Sequence, residues 1–266
     1  AHLVAPGHEA ALSSEFTWID CFQPTRDEER LVESALGIEI PSRAEMLEIE
    51  VSNRLYEEGA VLYMTAQMIS HSESASPESA PVTFIIAPKH IVTLRYSEYM
   101  PFRTFIADFQ KNPSNYITPD RVLAGLLDRV IERIADVLEK IGFEIENLSS
   151  DLFKRQLDDK TKKANSRDKH LSLRDLIDRV GRAGNLDAKI RESLVSLQRL
   201  LTFLNDSRTA HYSPEAKLQL QSSRTDILSL NDHSSFLANK VNFLLCTVFR
   251  KRKPNRWSFH VCSYSS

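Results

Sequence analysis

The sequence predicts an α/β (α+β) protein: an N-terminal mixed β-sheet flanked by helices, followed by long antiparallel helices that we call the stalk. Short runs rich in β-branched and aromatic residues alternate with turns before residue 100, which is typical of strands. After Pro119, apolar residues recur every three or four positions, which indicates one buried helical face. Two further helical segments follow, and both are longer than a small domain is wide.

The predicted α/β domain covers residues 15–117, after an N-terminal tail at residues 1–14. Thr25 and Glu28 form a capping-box pattern that opens a helix ending at Gly37, and Ser42 and Glu45 repeat that pattern. A short amphipathic helix is predicted at residues 101–111. Strands are predicted at residues 16–20, 55–56, 61–69, 82–87 and 91–96.

Residues 71–81, HSESASPESAP, separate two pairs of predicted strands. The segment is rich in Ser, Glu and Pro, so we expect it to be too polar to bury. The sequence therefore predicts a mobile loop here.

The predicted stalk covers residues 118–249, with Thr118 as N-cap and Pro119 at the first helical position. A polar break at residues 158–170 precedes a second helix, residues 172–206, in which Gly181 and Gly184 predict a kink or a close helix contact. A third helix runs from Pro214 to about Phe249, roughly 50 Å. The apolar face of the first helix comprises Val122, Leu126, Val130, Ile134, Leu138, Ile141, Ile145, Leu148 and Leu152. Helices of this length must pack against each other or against other copies of the chain.

Composition excludes several classes of protein. The net charge of −2 gives no bias toward nucleic acid, and three cysteines in no metal-ligand spacing fit a reducing compartment. No signal peptide and no apolar run of roughly 20 residues is present, so we expect the chain as written to be soluble. No glycine-rich phosphate loop or other enzyme motif appears, and we expect no enzyme. The basic run at residues 250–253 is the one feature favouring nucleic acid or an anionic membrane, and we interpret it as incidental.

Three strings, in this order and spacing, resemble the CorA family of magnesium, cobalt and nickel transporters. They are Trp18-Ile19-Asp20 with Pro24 and the acidic run at residues 27–30, then residues 41–54, then FLANKVNFLL at residues 236–245. The resemblance covers residues 15–245. It implies a funnel-shaped homopentamer on the cytoplasmic face of the bacterial inner membrane, with two membrane helices per subunit following the stalk.

The resemblance also implies a function. The full protein would take up Mg²⁺, with Co²⁺ or Ni²⁺ as further cargo, and this chain would be its cytoplasmic regulatory domain. The zinc-linked ZntB branch of the family stays an alternative, and so does a soluble oligomeric cation-sensing scaffold without transport. The family's Gly-Met-Asn motif is absent, and residues 246–266 do not resemble the family. After the stalk we therefore predict a non-family tail at residues 250–266. We interpret the segment from residue 246 onward as an appended tail or as the product of a changed reading frame near Cys246, whereas a native tail would favour the scaffold alternative.

Asp226, Asp232 and His233 of the third stalk helix are the candidate metal ligands. In the family that the chain resembles, acidic residues at subunit contacts bind regulatory cations, which hold the subunits together and favour the closed pore. Carboxylate oxygens suit Mg²⁺, whereas the imidazole of His233 suits Co²⁺, Ni²⁺ or Zn²⁺. The alternative from residue type alone is a solvated polar helix face.

Overall fold

The protein is described by a computed structural model covering residues 16–74, 76–161, 173–207 and 212–252. Five strands form one mixed sheet in the order β1-β5-β4-β3-β2, in which β1 runs parallel to β5 and every other pair is antiparallel. The strands are β1 Trp18–Phe22, β2 Leu55–Glu58, β3 Val61–Ser70, β4 Glu78–Ile86 and β5 Ile91–Arg95. The predicted fold class is confirmed.

Local signals place the helix ends as expected. Thr25 and Glu28 form the predicted capping box, and Gly37 ends that helix with φ 65° in the left-handed region. Ser42 and Glu45 form the second capping box. The short helices are α1 Arg26–Leu36, α2 Arg43–Met46, α3 Val51–Arg54, α4 Met100–Lys111 and a 3-10 turn at Pro113–Tyr116.

The prediction of a polar loop across residues 71–81 is wrong for its last four residues. Strand β4 begins at Glu78, and Pro81 is buried opposite Gln67 of β3. Pro81 has no N–H to donate, and the Gln67 N–H instead donates to Ser196 Oγ at 2.9 Å on a stalk helix. Pro77 is also buried. A distant hydrogen-bond partner thus makes a proline acceptable inside the sheet.

The sheet is the middle of three layers. One face packs on α1 and α2 through an apolar cluster that includes Val32, Met46, Ile85 and Leu94. The other face contributes residues such as Met64 and Phe84 to a larger core shared with α4 and the stalk helices. The sheet is therefore covered on both sides, by short helices on one and long helices on the other.

The stalk helices are α5 Pro119–Thr161, α6 Leu173–Asp206 and α7 Pro214–Arg252. All nine residues of the predicted apolar face of α5 are buried. Asp120 contacts Ser213 at one end of α5 and α7, and Glu146 pairs with Lys240 farther along, so these two helices run parallel. Helix α6 runs antiparallel to both, since Glu144 of α5 pairs with Arg179 near its start.

Gly184 makes the close helix contact that the sequence predicted. A Cβ on Gly184 would lie 3.0 Å from Val241 Cγ1 of α7, whereas nothing lies within 4 Å of the corresponding position on Gly181. The domain boundary between residues 117 and 118 stays a prediction, because the sheet and stalk share one apolar core. The predicted tail at residues 1–14, residues 253–266 of the predicted tail at 250–266, and residues 162–170 of the predicted break at 158–170 lie outside the described residues. Helix α7 continues through Arg252 and helix α5 through Thr161, so the predicted start of the break at residue 158 is wrong.

Candidate functional site on the outer face of α7

The candidate ligands lie on the exposed side of α7. Asp226, Asp232 and His233 are all exposed, whereas Ile227, Ser234 and Leu237 between and beside them are buried against the other stalk helices. With 3.6 residues per turn, Asp226 and His233 share one side of the helix about 10 Å apart, and Asp232 projects about 100° away from His233. We call this exposed side of α7 the outer face.

The three candidate ligands do not converge on one point within a single chain. Metal ions take ligands at about 2.0–2.6 Å, and residues spaced in this way along one helix cannot all reach a common ion. Among the described residues, no group of three or more His, Cys, Asp or Glu side chains is arranged to hold a metal ion. Any ion held tightly here would therefore need ligands from a second molecule or from water.

The neighbourhood of Asp226 is negatively charged. Burial raises the pKa of the Asp128 carboxyl on α5, and the nearby carboxylates of Glu132 and Asp226 add to that rise. Arg129, which forms an ion pair with Glu132, opposes this rise. The three carboxylates still outnumber that one guanidinium, and the remaining negative charge favours binding of a cation beside them. Asp128 and Glu132 were not predicted as site residues, because helix-by-helix reasoning does not show which faces of α5 and α7 meet.

Apolar side chains share the outer face with the charged ones. Leu218 is 68 % exposed, Phe236 55 % and Phe243 57 %, and Leu228 lies at the margin of the same stripe at 47 %. The Phe236 ring stacks beside the His233 ring with centroids 6.3 Å apart. Four large apolar side chains on the side of a helix facing away from its own core form a surface suited to contact with another molecule.

The opposite face of α7 holds a polar pair that sequence reasoning missed. Ser234 Oγ donates a 2.8 Å hydrogen bond to Asp187 Oδ1 of α6, and Asp187 is only 2 % exposed. Burial raises the pKa of Asp187, against the opposing effects of Ser234, Arg191 and His233. A signal for this pair exists, because Asp187 and Ser234 each occupy an otherwise apolar position in a three-four repeat. The repeats are Val180, Ala183, Asp187, Ile190, Leu194 and Ile227, Leu230, Ser234, Leu237, Val241.

None of the helices in the described ranges has the length and hydropathy needed to cross a membrane. The fold and the outer face together define a class of protein: a small mixed-sheet domain continued by three long helices, the last of which exposes acidic and apolar side chains. The chain belongs to the CorA-like Mg²⁺ transporter family, whose family model matches residues 13–251. That match extends past Leu245, the last residue of the resemblance found from the sequence.

Curated relatives agree with this assignment. The chain is 27 % identical over 228 residues to the magnesium transport protein CorA of Haemophilus influenzae, covering 86 % of this chain and 68 % of that protein. It is 29 % identical over 228 residues to the protein of the same name in Escherichia coli K12, with the same two coverages.

Solved structures show a similar fold. The soluble domain of CorA from Methanocaldococcus jannaschii matches with a TM-score of 0.66 at 15 % identity, covering 88 % of this chain and 87 % of that one. The ZntB cytoplasmic domain from Vibrio parahaemolyticus matches with a TM-score of 0.61 at 13 % identity, covering 88 % and 87 %. In both matches the fold is similar although few residues are identical.

Proposed function

We propose that this chain is the cytoplasmic, cation-responsive part of a homo-oligomeric CorA-type transporter that conducts Mg²⁺, with Co²⁺ or Ni²⁺ as further cargo. Its place is the cytoplasmic face of the bacterial inner membrane, and the oligomer we propose is a pentamer. Relatives named as magnesium transport proteins support the cargo. The observation that carries the regulatory part is the outer face of α7, where acidic and apolar side chains are exposed together.

The outer face supplies a physical basis for regulation by a cation. Apposed copies of α7 would bring several carboxylates close together, and their repulsion would oppose the apolar contact between Leu218, Phe236 and their counterparts. A divalent cation between Asp226 or Asp232 of neighbouring subunits neutralises that repulsion. Loss of the cation restores it, so that the stalk helices separate and the pore opens.

His233 favours softer metals at the same place. Imidazole binds Zn²⁺, Co²⁺ and Ni²⁺ in preference to Mg²⁺, and Asp232 adjoins it in sequence. Zinc transport of the ZntB type therefore remains the second candidate. The ZntB cytoplasmic domain shares the fold with a TM-score of 0.61, against 0.66 for the CorA soluble domain. The fold alone does not choose between them, and metal binding tests the choice.

Self-association of the chain tests the proposal. Sedimentation equilibrium in 10 mM MgCl₂ should show larger species than in KCl of equal ionic strength. The double variant Asp226→Asn with Asp232→Asn should lose that difference, whereas Asp27→Asn, which alters a fully exposed carboxylate on α1, should keep it. Phe236→Ser should weaken association in both salts, because it removes apolar contact rather than charge.

Two results would contradict the proposal. Equal association in MgCl₂ and KCl would mean that Mg²⁺ does not regulate self-association. An unchanged magnesium response in the double variant would mean that Mg²⁺ binds at residues other than Asp226 and Asp232. A response to ZnCl₂ at micromolar concentration that His233→Ala abolishes, without a response to MgCl₂, would favour the ZntB alternative.

A further inference from the structure

A cleft lies between the turn after β3, helix α5 and helix α6, and no residue of α7 lines it. Its volume is about 550 Å³, within the range of roughly 300–1,000 Å³ that small-molecule sites occupy. Part of its lining is apolar and belongs to all three elements. These residues are Pro77, Val137, Ile141, Ala183 and Leu186.

The rest of the lining is predominantly cationic. Four basic side chains, from Arg133, Lys140, Arg179 and Arg182, face two carboxylates, from Glu73 and Glu144. The cleft therefore carries an excess of positive charge in a chain whose net charge is −2. This excess distinguishes it from the acidic surroundings of Asp226.

Two of these bases have donors to spare. Arg133 Nη2 donates to Ser72 Oγ and Glu73 Oε1, but its Nε is buried without a hydrogen-bond partner. Arg182 is exposed and forms no ion pair within the described residues. A buried guanidinium N–H without an acceptor is costly, and a shift of the Arg133 side chain toward the cleft would let a ligand oxygen accept from it.

The other two bases, Lys140 and Arg179, are held by contacts of different strength. Lys140 Nζ lies 3.1 Å from Glu73 Oε1, and both side chains are more than half exposed. Exposed ion pairs contribute little to stability, so exchanging Glu73 for a more strongly charged anion costs little. Arg179 makes a two-pronged contact with Glu144 that keeps its guanidinium oriented.

We propose that this cleft binds a small organic anion that has two or more negative charges and an apolar ring, the chemical class of the nucleoside di- and triphosphates. Guanidinium forks match phosphate oxygens in geometry and charge, and Arg182 and Arg133 supply them. The apolar lining from Val137 and Ile141 to Leu186 accommodates the ring. This site is separate from the cation site proposed on α7, and each stands without the other.

Isothermal titration of the chain with ATP, in magnesium-free buffer at low ionic strength, tests the proposal. One ATP should bind per chain, and both tripolyphosphate and adenosine should bind at least tenfold more weakly, since each lacks half of the recognised chemistry. Arg182→Ala should weaken ATP binding about tenfold. The matched control is Arg224→Ala, which removes the same charge from an exposed position on α7 outside the cleft.

Glu73→Gln separates a binding role from a structural one. It removes the carboxylate that competes for Arg133 and Lys140 and should strengthen ATP binding about threefold, whereas damage to the fold would weaken it. No heat of binding up to 5 mM ATP would overturn the proposal. Equal losses in Arg182→Ala and Arg224→Ala, or tripolyphosphate binding as tightly as ATP, would also overturn it by showing general attraction to charge.

Discussion

The two faces of helix α7 carry similar residue types but differ in where their partners lie. On the inner face, Leu237 and Val241 are buried in the core, and Ser234 is hydrogen-bonded to Asp187. On the outer face, Phe236 and Asp232 are exposed, and the Phe236 ring contacts only neighbouring outer-face side chains such as His233 among the described residues. Residues of the inner face therefore contribute to the stability of the chain, and those of the outer face are free to contact another molecule.

Adjacent residues give the sharpest test of this difference. Leu237→Ala removes a side chain that is 2 % exposed and should lower the free energy of unfolding by about 2–4 kcal/mol. Phe236→Ala, one position earlier on the outer face, should change it by less than about 0.5 kcal/mol. Urea denaturation at low protein concentration measures both.

Equal losses in the free energy of unfolding of Leu237→Ala and Phe236→Ala would contradict this difference between the two faces. An equal loss in Phe236→Ala would mean that the outer face packs within its own chain and is unavailable to a partner. Its effect on self-association would then follow from instability, which the denaturation curves would reveal.

Sequence predicted the parts of the fold that depend on local signals. The capping boxes at Thr25 and Ser42 and the buried stripe of α5 depend on residues close in sequence, and all are confirmed. The start of β4 was missed, because its proline is tolerated only through the hydrogen bond from Gln67 to Ser196, which joins residues 129 positions apart. Such a contact has no local signal.

The candidate site likewise has some features that sequence alone predicts and others that depend on contacts between distant residues. Sequence was enough to place Asp226, Asp232 and His233 on the third stalk helix, and all three are exposed there. Metal binding by these residues stays a prediction. The relation of Asp226 to Asp128 depends on how α5 and α7 pack, which periodicity alone does not give.

The N-terminal end of α7 offers a prediction of intermediate size. Asp120 Oδ2 on α5 accepts hydrogen bonds from the Ser213 backbone N–H and Oγ, each at 2.7 Å. Burial alone would raise the pKa of Asp120, but hydrogen bonds to its carboxylate, including those from Ser213, hold that pKa below its ordinary value. At pH 7, Asp120→Asn should therefore lower the free energy of unfolding by about 1–2 kcal/mol.

The lowered pKa of Asp120 also predicts how the effect of Asp120→Asn changes with pH. A carboxyl whose pKa is lower in the folded protein stabilises it above the unfolded pKa of about 3.9, and that contribution is lost as the pH falls through the folded value. The difference between the native chain and Asp120→Asn should thus shrink as the pH drops below 4. The control Asp178→Asn, at an exposed position of α6, should leave the free energy of unfolding nearly unchanged both at pH 7 and below pH 4. A gap that persists at low pH would point to packing rather than charge.

The smallest expected effect concerns the two glycines of α6. Alanine favours a helix over glycine by up to about 1 kcal/mol, so Gly181→Ala, where nothing lies within 4 Å of the new Cβ, should stabilise the chain by about 0.5–1 kcal/mol. At Gly184 the new Cβ would lie 3.0 Å from Val241 Cγ1, so Gly184→Ala must shift α7 or Val241 and should lose that gain. Thermal unfolding of both variants measures the difference.

Combining Gly184→Ala with Val241→Ala should recover the helix-propensity gain at Gly184 relative to Val241→Ala alone, because the contact that opposes it is gone. If Gly184→Ala instead stabilises the chain as much as Gly181→Ala, then α7 accommodates the new methyl group at no cost, and the contact between Gly184 and Val241 does not restrict the inner face.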